Sequence, residues 1–187
     1  MCLAFSDGRL LLRSSSKFWL KKMIPLIVVS SKTGNTRLIA RALQDAIGAC
    51  SYVEAVRMPA DLSNYNPIVL CFWCDRGMAP ADIQAAASRL QNKDVACFAT
   101  MGDDPEKQRS QDWLQRTSCA LAAAGEGNAL RLKFLCRGRI DPALLEHLAG
   151  MTGDRTQAEL LSRSSETHPD RLDTLAAVKA YREVFGD

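Results

Sequence analysis

Apolar positions along this chain follow two alternating rhythms. Nearly continuous apolar runs occupy Ile24 to Ser30, Tyr52 to Arg57, Ile68 to Trp73, Val95 to Thr100 and Leu130 to Cys136, the pattern of strands covered on both faces. Between them, apolar residues recur every three or four positions. This predicts helices at Thr36 to Ala49, Ala81 to Gln91, Gln108 to Ala124, Pro142 to Leu148 and Arg171 to Val184. Gly150 to Ser165, rich in Ser, Thr, Gly and charge, reads as a helix with loose ends. Strands alternating with helices imply an α/β fold, an open parallel five-stranded sheet with helices on both faces. Right-handed crossovers restrict its topology, and the expected strand order is 2-1-3-4-5.

The first apolar run stops abruptly at Ser31-Lys32-Thr33-Gly34-Asn35-Thr36, and a helical repeat of Leu38, Ile39, Ala42, Leu43, Ala46 and Ile47 follows at once. A small, hydroxyl-rich loop between a buried strand and a helix N-terminus is an anion site in outline. Unpaired N–H groups and the positive end of the helix dipole meet there. Hydroxyls from Ser31, Thr33 and Thr36 add neutral donors suited to a phosphate monoester. The loop lacks the Lys-Ser/Thr pair of a Walker A sequence and the Gly-x-Gly-x-x-Gly of a dinucleotide fold. Helix capping alone is the plainer explanation, but one cap would suffice and here polar residues crowd the whole turn.

In such a sheet, ligands bind at the carboxyl ends of strands beside the point where strand order reverses. Two further loops should converge there with the first. One runs Trp73-Cys74-Asp75-Arg76-Gly77-Met78 and the other Thr100-Met101-Gly102-Asp103-Asp104-Pro105. Each carries a glycine, which lets backbone approach a flat ring.

Charge adds one distinction. The 187-residue chain has a formal net charge of +3, but Met1 to Lys22 holds five basic side chains against Asp7 alone, which leaves nineteen basic and twenty acidic side chains beyond it. No basic nucleic-acid footprint remains in the bulk charge, and no run is long enough to span a bilayer. Residues 1–22 read as an N-terminal extension outside the core, or as a mis-assigned start with translation beginning at Met23, and residues 23–187 as the folded domain. Seven scattered cysteines point to a reducing cytoplasm. Cys71 and Cys74 have redox-motif spacing, but strand alternation puts them on opposite faces, and no second Cys or His pair lies at zinc-ligand spacing.

Ser31-x-Thr33-Gly34-Asn35-Thr36 after the first strand resembles the phosphate loop of the flavodoxin family. Trp73, Asp75 and Gly77, then Phe98, Thr100 and Gly102, then Phe134, Cys136, Gly138, Arg139 and Ile140, and finally Thr167-His168-Pro169 resemble the BilS-type branch of that family, which includes partners of bilirubin reductases. The resemblance covers nearly everything after Met23. It implies a flavodoxin-like fold, noncovalent FMN and single-electron transfer to a redox protein partner by a monomer or weak dimer. It implies a phosphate site at Ser31, Lys32, Thr33, Gly34, Asn35 and Thr36. The ring would lie against Trp73, Cys74, Asp75, Arg76 and Gly77 on one side, and Thr100, Met101, Gly102 and Asp103 on the other, with Trp73 stacking on the isoalloxazine. A carbonyl of the flexible Cys74 to Gly77 backbone would face flavin N5.

Two departures bear on that carry-over. The third loop has no second aromatic, so that face of the ring would rest on Met101 or on backbone. The near-neutral core lacks the acidic excess that steers familiar flavodoxins to basic partners. Asp75, Asp103 and Asp104 would lower the potential of a bound flavin, although solvated turn residues are the simpler reading of each. Arg131, Lys133, Arg137 and Arg139 form a basic patch read as a solvated edge, with an acidic protein partner as the alternative. His147 reads as a surface or boundary residue. His168 reads as a helix entry, with Pro169 as the first helical residue. An NAD(P)H-dependent FMN or quinone reductase and a cofactor-free interaction module are the competing classes.

Overall fold

The structure, a computed structural model, describes residues 23–152 and 155–186; the expected N-terminal extension lies outside these. Five strands, β1 (Ile24–Val29), β2 (Ser51–Glu54), β3 (Tyr65–Trp73), β4 (Asp94–Met101) and β5 (Ala129–Arg137), form one parallel sheet in the order β2-β1-β3-β4-β5. This is the expected 2-1-3-4-5 topology. The helices are α1 (Asn35–Ile47), α2 (Ala81–Ala87), α3 (Gln108–Ala123), α4 (Pro142–Thr152), α5 (Arg155–Ser165) and α6 (Arg171–Phe185).

Strand alternation divides the core into two layers. Leu26, Val28, Ile68, Leu70, Phe72, Val95 and Cys97 face Ile83 and Ala87 of α2 and Trp113, Leu114 and Leu121 of α3. Ile27, Val29, Val69, Cys71, Ala96 and Phe98 face Ile39, Ala40 and Leu43 of α1 and Ala177 and Tyr181 of α6. The crossover after β1 and the crossover after β3 therefore cover opposite faces, and the switch point opens between those two strands. Cys71 lies in the second layer while Cys74 packs against the first, as alternation requires. Helices α4 and α5 pair with each other and lie over the carboxyl end of the sheet, where both contribute to the same cleft.

Several boundaries differ from the sequence reading for local reasons. Strand β2 ends at Glu54, and a short 3-10 turn, Ala55–Arg57, carries Ala55, Met58 and Leu62 into the α2 layer while Val56 points outward. Strand β3 begins at Tyr65, before Pro67. Its register with β1 shifts between Ile24 and Leu26, so Asn66 and Pro67 oppose Pro25 in a bulge that needs neither proline N–H. Helix α2 stops at Ala87, and turn bonds from Arg89 to Ala86 and from Leu90 to Ala87 then bury Leu90. At α6 the N-cap is Asp170, which forms a capping box with Asp173, so Pro169 precedes the cap rather than opening the helix.

Gly125 closes the turn between α3 and β5 against the turn that follows α2. A Cβ there would overlap the Leu90 carbonyl oxygen, and backbone cannot yield as a flexible side-chain tip does. We expect Gly125→Ala to destabilise the fold by about 1–3 kcal/mol, the range of overpacking substitutions, measured as a fall in the urea midpoint at unchanged m-value.

Candidate functional site

Helix α1 does not begin on a hydroxyl cap. Its N-cap is Gly34, at φ 98°, with no side-chain cap bond. Ser31 Oγ accepts instead from the Arg37 amide at 3.3 Å. Among the described residues, the amides of Lys32, Thr33, Gly34, Asn35 and Thr36 have no protein acceptor. Such a row at a helix N-terminus is the donor set of an anion site. Capping therefore does not explain the crowding of polar residues in this loop.

Neighbouring loops hold that row in place. Thr36 Oγ1 and Thr100 Oγ1 lie 2.9 Å apart, both buried, so one hydroxyl proton bridges them and the other remains to donate. Asn35 Nδ2 donates to the Arg139 carbonyl at 2.8 Å, and the Gly138 amide donates to the Met101 carbonyl at 2.7 Å. A Cβ on Gly138 would come within 2.8 Å of Asn35 Nδ2, so a side chain there would displace Asn35 from its bond to Arg139.

The loop after β3 is a two-residue reverse turn. Asp75 and Met78 exchange both backbone bonds at 2.9 Å, and Arg76 and Gly77 have φ 51° and 83°, the signature of type I′. The Gly77 carbonyl accepts from Trp113 Nε1 of α3 at 2.8 Å. Trp113 is 7% exposed and meets Phe72 edge-on, so the clamp is rooted in the core. The expected flexible glycine backbone is thus pinned at Gly77. The Cys74 and Arg76 carbonyls accept no hydrogen bond among the described residues.

These loops enclose a cleft of about 1080 Å³ at the carboxyl ends of the strands. It is lined by Lys32, Thr33, Asn35, Thr36, Trp73, Cys74, Asp75, Arg76, Thr100, Met101, Gly102 and Asp103; Ser31, Gly34 and Gly77 shape the same loops without lining it. Trp73 is half-buried, with Lys32 Nζ 5.9 Å from its ring centroid, a contact that an exposed lysine exchanges readily for solvent.

Comparison with known proteins matches the flavodoxin domain to residues 26–182. The chain belongs to the flavodoxin domain family. It is 25% identical over 165 residues to the flavodoxin-like domain-containing protein BilS of Clostridioides difficile (strain CD3), covering 83% of this chain and 92% of that protein. It is 27% identical over 173 residues to the protein of the same name from Clostridium symbiosum (strain WAL-14163), covering 80% and 90%. Oxidised flavodoxin 2 from Bacillus cereus superposes with a TM-score of 0.49 at 18% identity, over 83% of this chain and 98% of that one.

Membership of the flavodoxin family implies a flavin, and the donor set fits one. Unpartnered amides suit its phosphate, and an indole beside backbone suits a flat ring. Trp73 is the one Phe, Tyr or Trp side chain among the described residues that line the cleft, and Met101, Gly102, Ile140, Leu144, Leu160 and Leu161 also line it. These last four were absent from the expected site. Leu160 and Leu161 belong to α5, in the polar stretch read as a helix with loose ends.

The cleft carboxylates divide into compensated and uncompensated groups. Asp103 meets Lys107 at 3.0 Å and also pairs with Arg109, while Asp104 meets Arg137 at 3.4 Å. Neither is a simple solvated turn residue. Asp75 has no ionic partner among the described residues. The basic patch read along β5 splits. Arg131 pairs with Asp94 and Lys133 is exposed on the sheet edge, where charge discourages further strand pairing. Arg137, by contrast, turns into the cleft and donates to the Ser164 carbonyl at 3.0 Å. His147 is exposed at the cleft wall, and His168 Nδ1 lies 2.6 Å from Asp173 Oδ2 beside the α6 cap.

Two outcomes follow from these contacts. Trp113→Phe removes the indole N–H that bonds the Gly77 carbonyl and shrinks a buried ring, and we expect a loss of about 1–3 kcal/mol in chemical unfolding. Burial pushes the Asp103 carboxyl upward, but Lys107, the Asp104 amide and Arg109 outweigh it and hold it below its ordinary range. Its stabilising contribution is therefore present above the ordinary carboxylate pKa and is lost as pH falls through the depressed folded value. Carbon-detected NMR titration should show Asp103 returning upward in Lys107→Ala/Arg109→Ala.

Proposed function

We propose that this chain binds FMN in the cleft and passes single electrons to a redox protein partner. The observation that carries this reading is the row of unpartnered amides from Lys32 to Thr36 in the same cleft as Trp73. When bound, FMN would supply one-electron chemistry, and the chain would supply binding, orientation and electrostatics. In this reading the amides and the Thr33 hydroxyl hold the phosphate, Trp73 forms one wall of the ring site, and Met101 with the Gly102 backbone forms the other. The free carbonyls of Cys74 and Arg76 are the acceptors the turn offers to a ring N–H. Asp75, half-buried and without an ionic partner among the described residues, disfavours added negative charge beside it. A reducing compartment and a monomer or weak dimer belong to the same proposal; the six cysteines of the described residues are all free.

An NAD(P)H-dependent reductase is the second reading, favoured by one feature. The cleft continues past the Trp73 loop to the apolar wall of Leu144, Leu160 and Leu161, which leaves room for a second ring.

The test is the visible spectrum of the protein after FMN addition and gel filtration. Wild type should retain flavin absorption. Gly34→Asp, which puts an anion at the phosphate position, should lose at least about tenfold in affinity through like-charge repulsion. Gly34→Asn, neutral and tolerant of positive φ, should retain most of it. Folded wild type without retained flavin would overturn the reading in favour of a cofactor-free module. Rapid bleaching by NADPH alone would favour the reductase.

A further inference from the structure

The charged side chains lining the cleft sort by depth. The four carboxylates, Asp75, Asp103, Asp104 and Asp141, are all partly buried, and two of them are held in ion pairs. Every charged residue of the lining that counts as exposed is basic: Lys32, Arg76, Lys107, Arg109 and Arg139. Lys107 and Arg109 share the single carboxylate of Asp103, so that pairing leaves positive charge at the mouth.

The five cations come from the four connections that follow β1, β3, β4 and β5, with Arg109 in the first turn of α3 and the other four in loops. Neighbouring strands lie about 4.8 Å apart, so β1 to β5 spans roughly 14 Å. One phosphate cannot touch charges spread that widely, whereas a protein surface can. Exposed Leu144 and Leu160, on α4 and α5, lie within the same mouth. Apolar residues among charged ones at a cleft opening have the composition of a protein interface.

We propose that the cleft mouth is the docking surface for a redox protein presenting an acidic patch, the charge opposite to that favoured by an acidic carrier. This rests on the electron-transfer reading for its purpose but not for its physics. Complementary charge would speed encounter and orient the partner over the cleft, and both effects weaken with salt.

The experiment titrates isotopically labelled protein with cytochrome b5, an acidic haem protein, and separately with cytochrome c, a basic one, at low and high ionic strength. At low salt, cytochrome b5 should shift the amides around Lys32, Arg76, Lys107 to Arg109 and Arg139, and added salt should reverse those shifts. Arg76→Glu/Arg139→Glu should weaken binding by about tenfold or more. Arg116→Glu/Lys133→Glu, an equal charge change at exposed positions outside the cleft, should leave most of it. Preference for cytochrome c, shifts elsewhere on the surface, or equal losses in the two double variants would overturn the proposal. The readout needs no flavin. A protein that retains no FMN yet docks cytochrome b5 at the mouth would sink the electron-carrier reading and sustain this one.

Discussion

Parallel strands end side by side but cannot be joined by tight turns, so the loops at their carboxyl edge arrive separately and must be registered by contacts between them. In this chain the bridge between the Thr36 and Thr100 hydroxyls joins the start of α1 to the end of β4. Asn35 reaches the carbonyl of Arg139, and the Gly138 amide returns to Met101, so the loop after β5 is tied to both. The side chain of Ile140 lies where a Cβ on Gly102 would be, at 2.5 Å from its ideal position. Remove this network and the sheet could persist, but the amide row, the indole wall and the fourth loop would no longer share one cavity.

The same network explains how charge is distributed. A phosphate bound by main-chain amides needs no lysine beneath it, because several N–H dipoles and a helix terminus supply the positive potential. Cations are then available for the rim. Behind them Asp103 and Asp104 are drawn into pairs with Lys107, Arg109 and Arg137, which limits repulsion between these two carboxylates. A neutral inner donor set with a basic outer ring differs from a protein whose whole surface is acidic, even where the fold is the same. Bulk charge could not reveal this, because a near-neutral sum says nothing about depth.

The alternation of buried strands and amphipathic helices made the sheet order and the three converging loops legible, since each depends on nearby residues. What was missed depends on contacts across long sequence separations. The shift that admits Pro67 into β3 requires Pro25 on the neighbouring strand. The role of Trp113 depends on a carbonyl 36 residues earlier, and nothing in its helical repeat distinguishes it from an ordinary core tryptophan. The α4–α5 wall was obscured by composition, because Leu160 and Leu161 stand in a stretch rich in Ser, Thr, Gly and charge and face a cleft whose other residues come from distant loops. Arg137 and Arg139 follow the edge charges Arg131 and Lys133 closely in sequence, but Arg137 is the last residue of β5 and Arg139 lies just beyond it, so these two reach the cleft and the others do not.

The reverse turn after β3 shows how a local rule and a distant contact combine. Glycine at position 77 first suggests a loop free to rearrange. Rotating the Cys74–Asp75 peptide would break the Asp75 N–H bond to Met78, and rotating the peptide after Gly77 would break its bond to Trp113. The central Arg76–Gly77 peptide is restrained differently. Turning it over would convert type I′ to type II′, which calls for glycine at the first central position, and that position is Arg76. Each peptide of the turn is therefore opposed by a lost hydrogen bond or by steric strain. Under the proposed FMN reading, the acceptor that this turn offers a ring N–H is preset by the fold, and the glycine serves the geometry of the turn rather than its mobility.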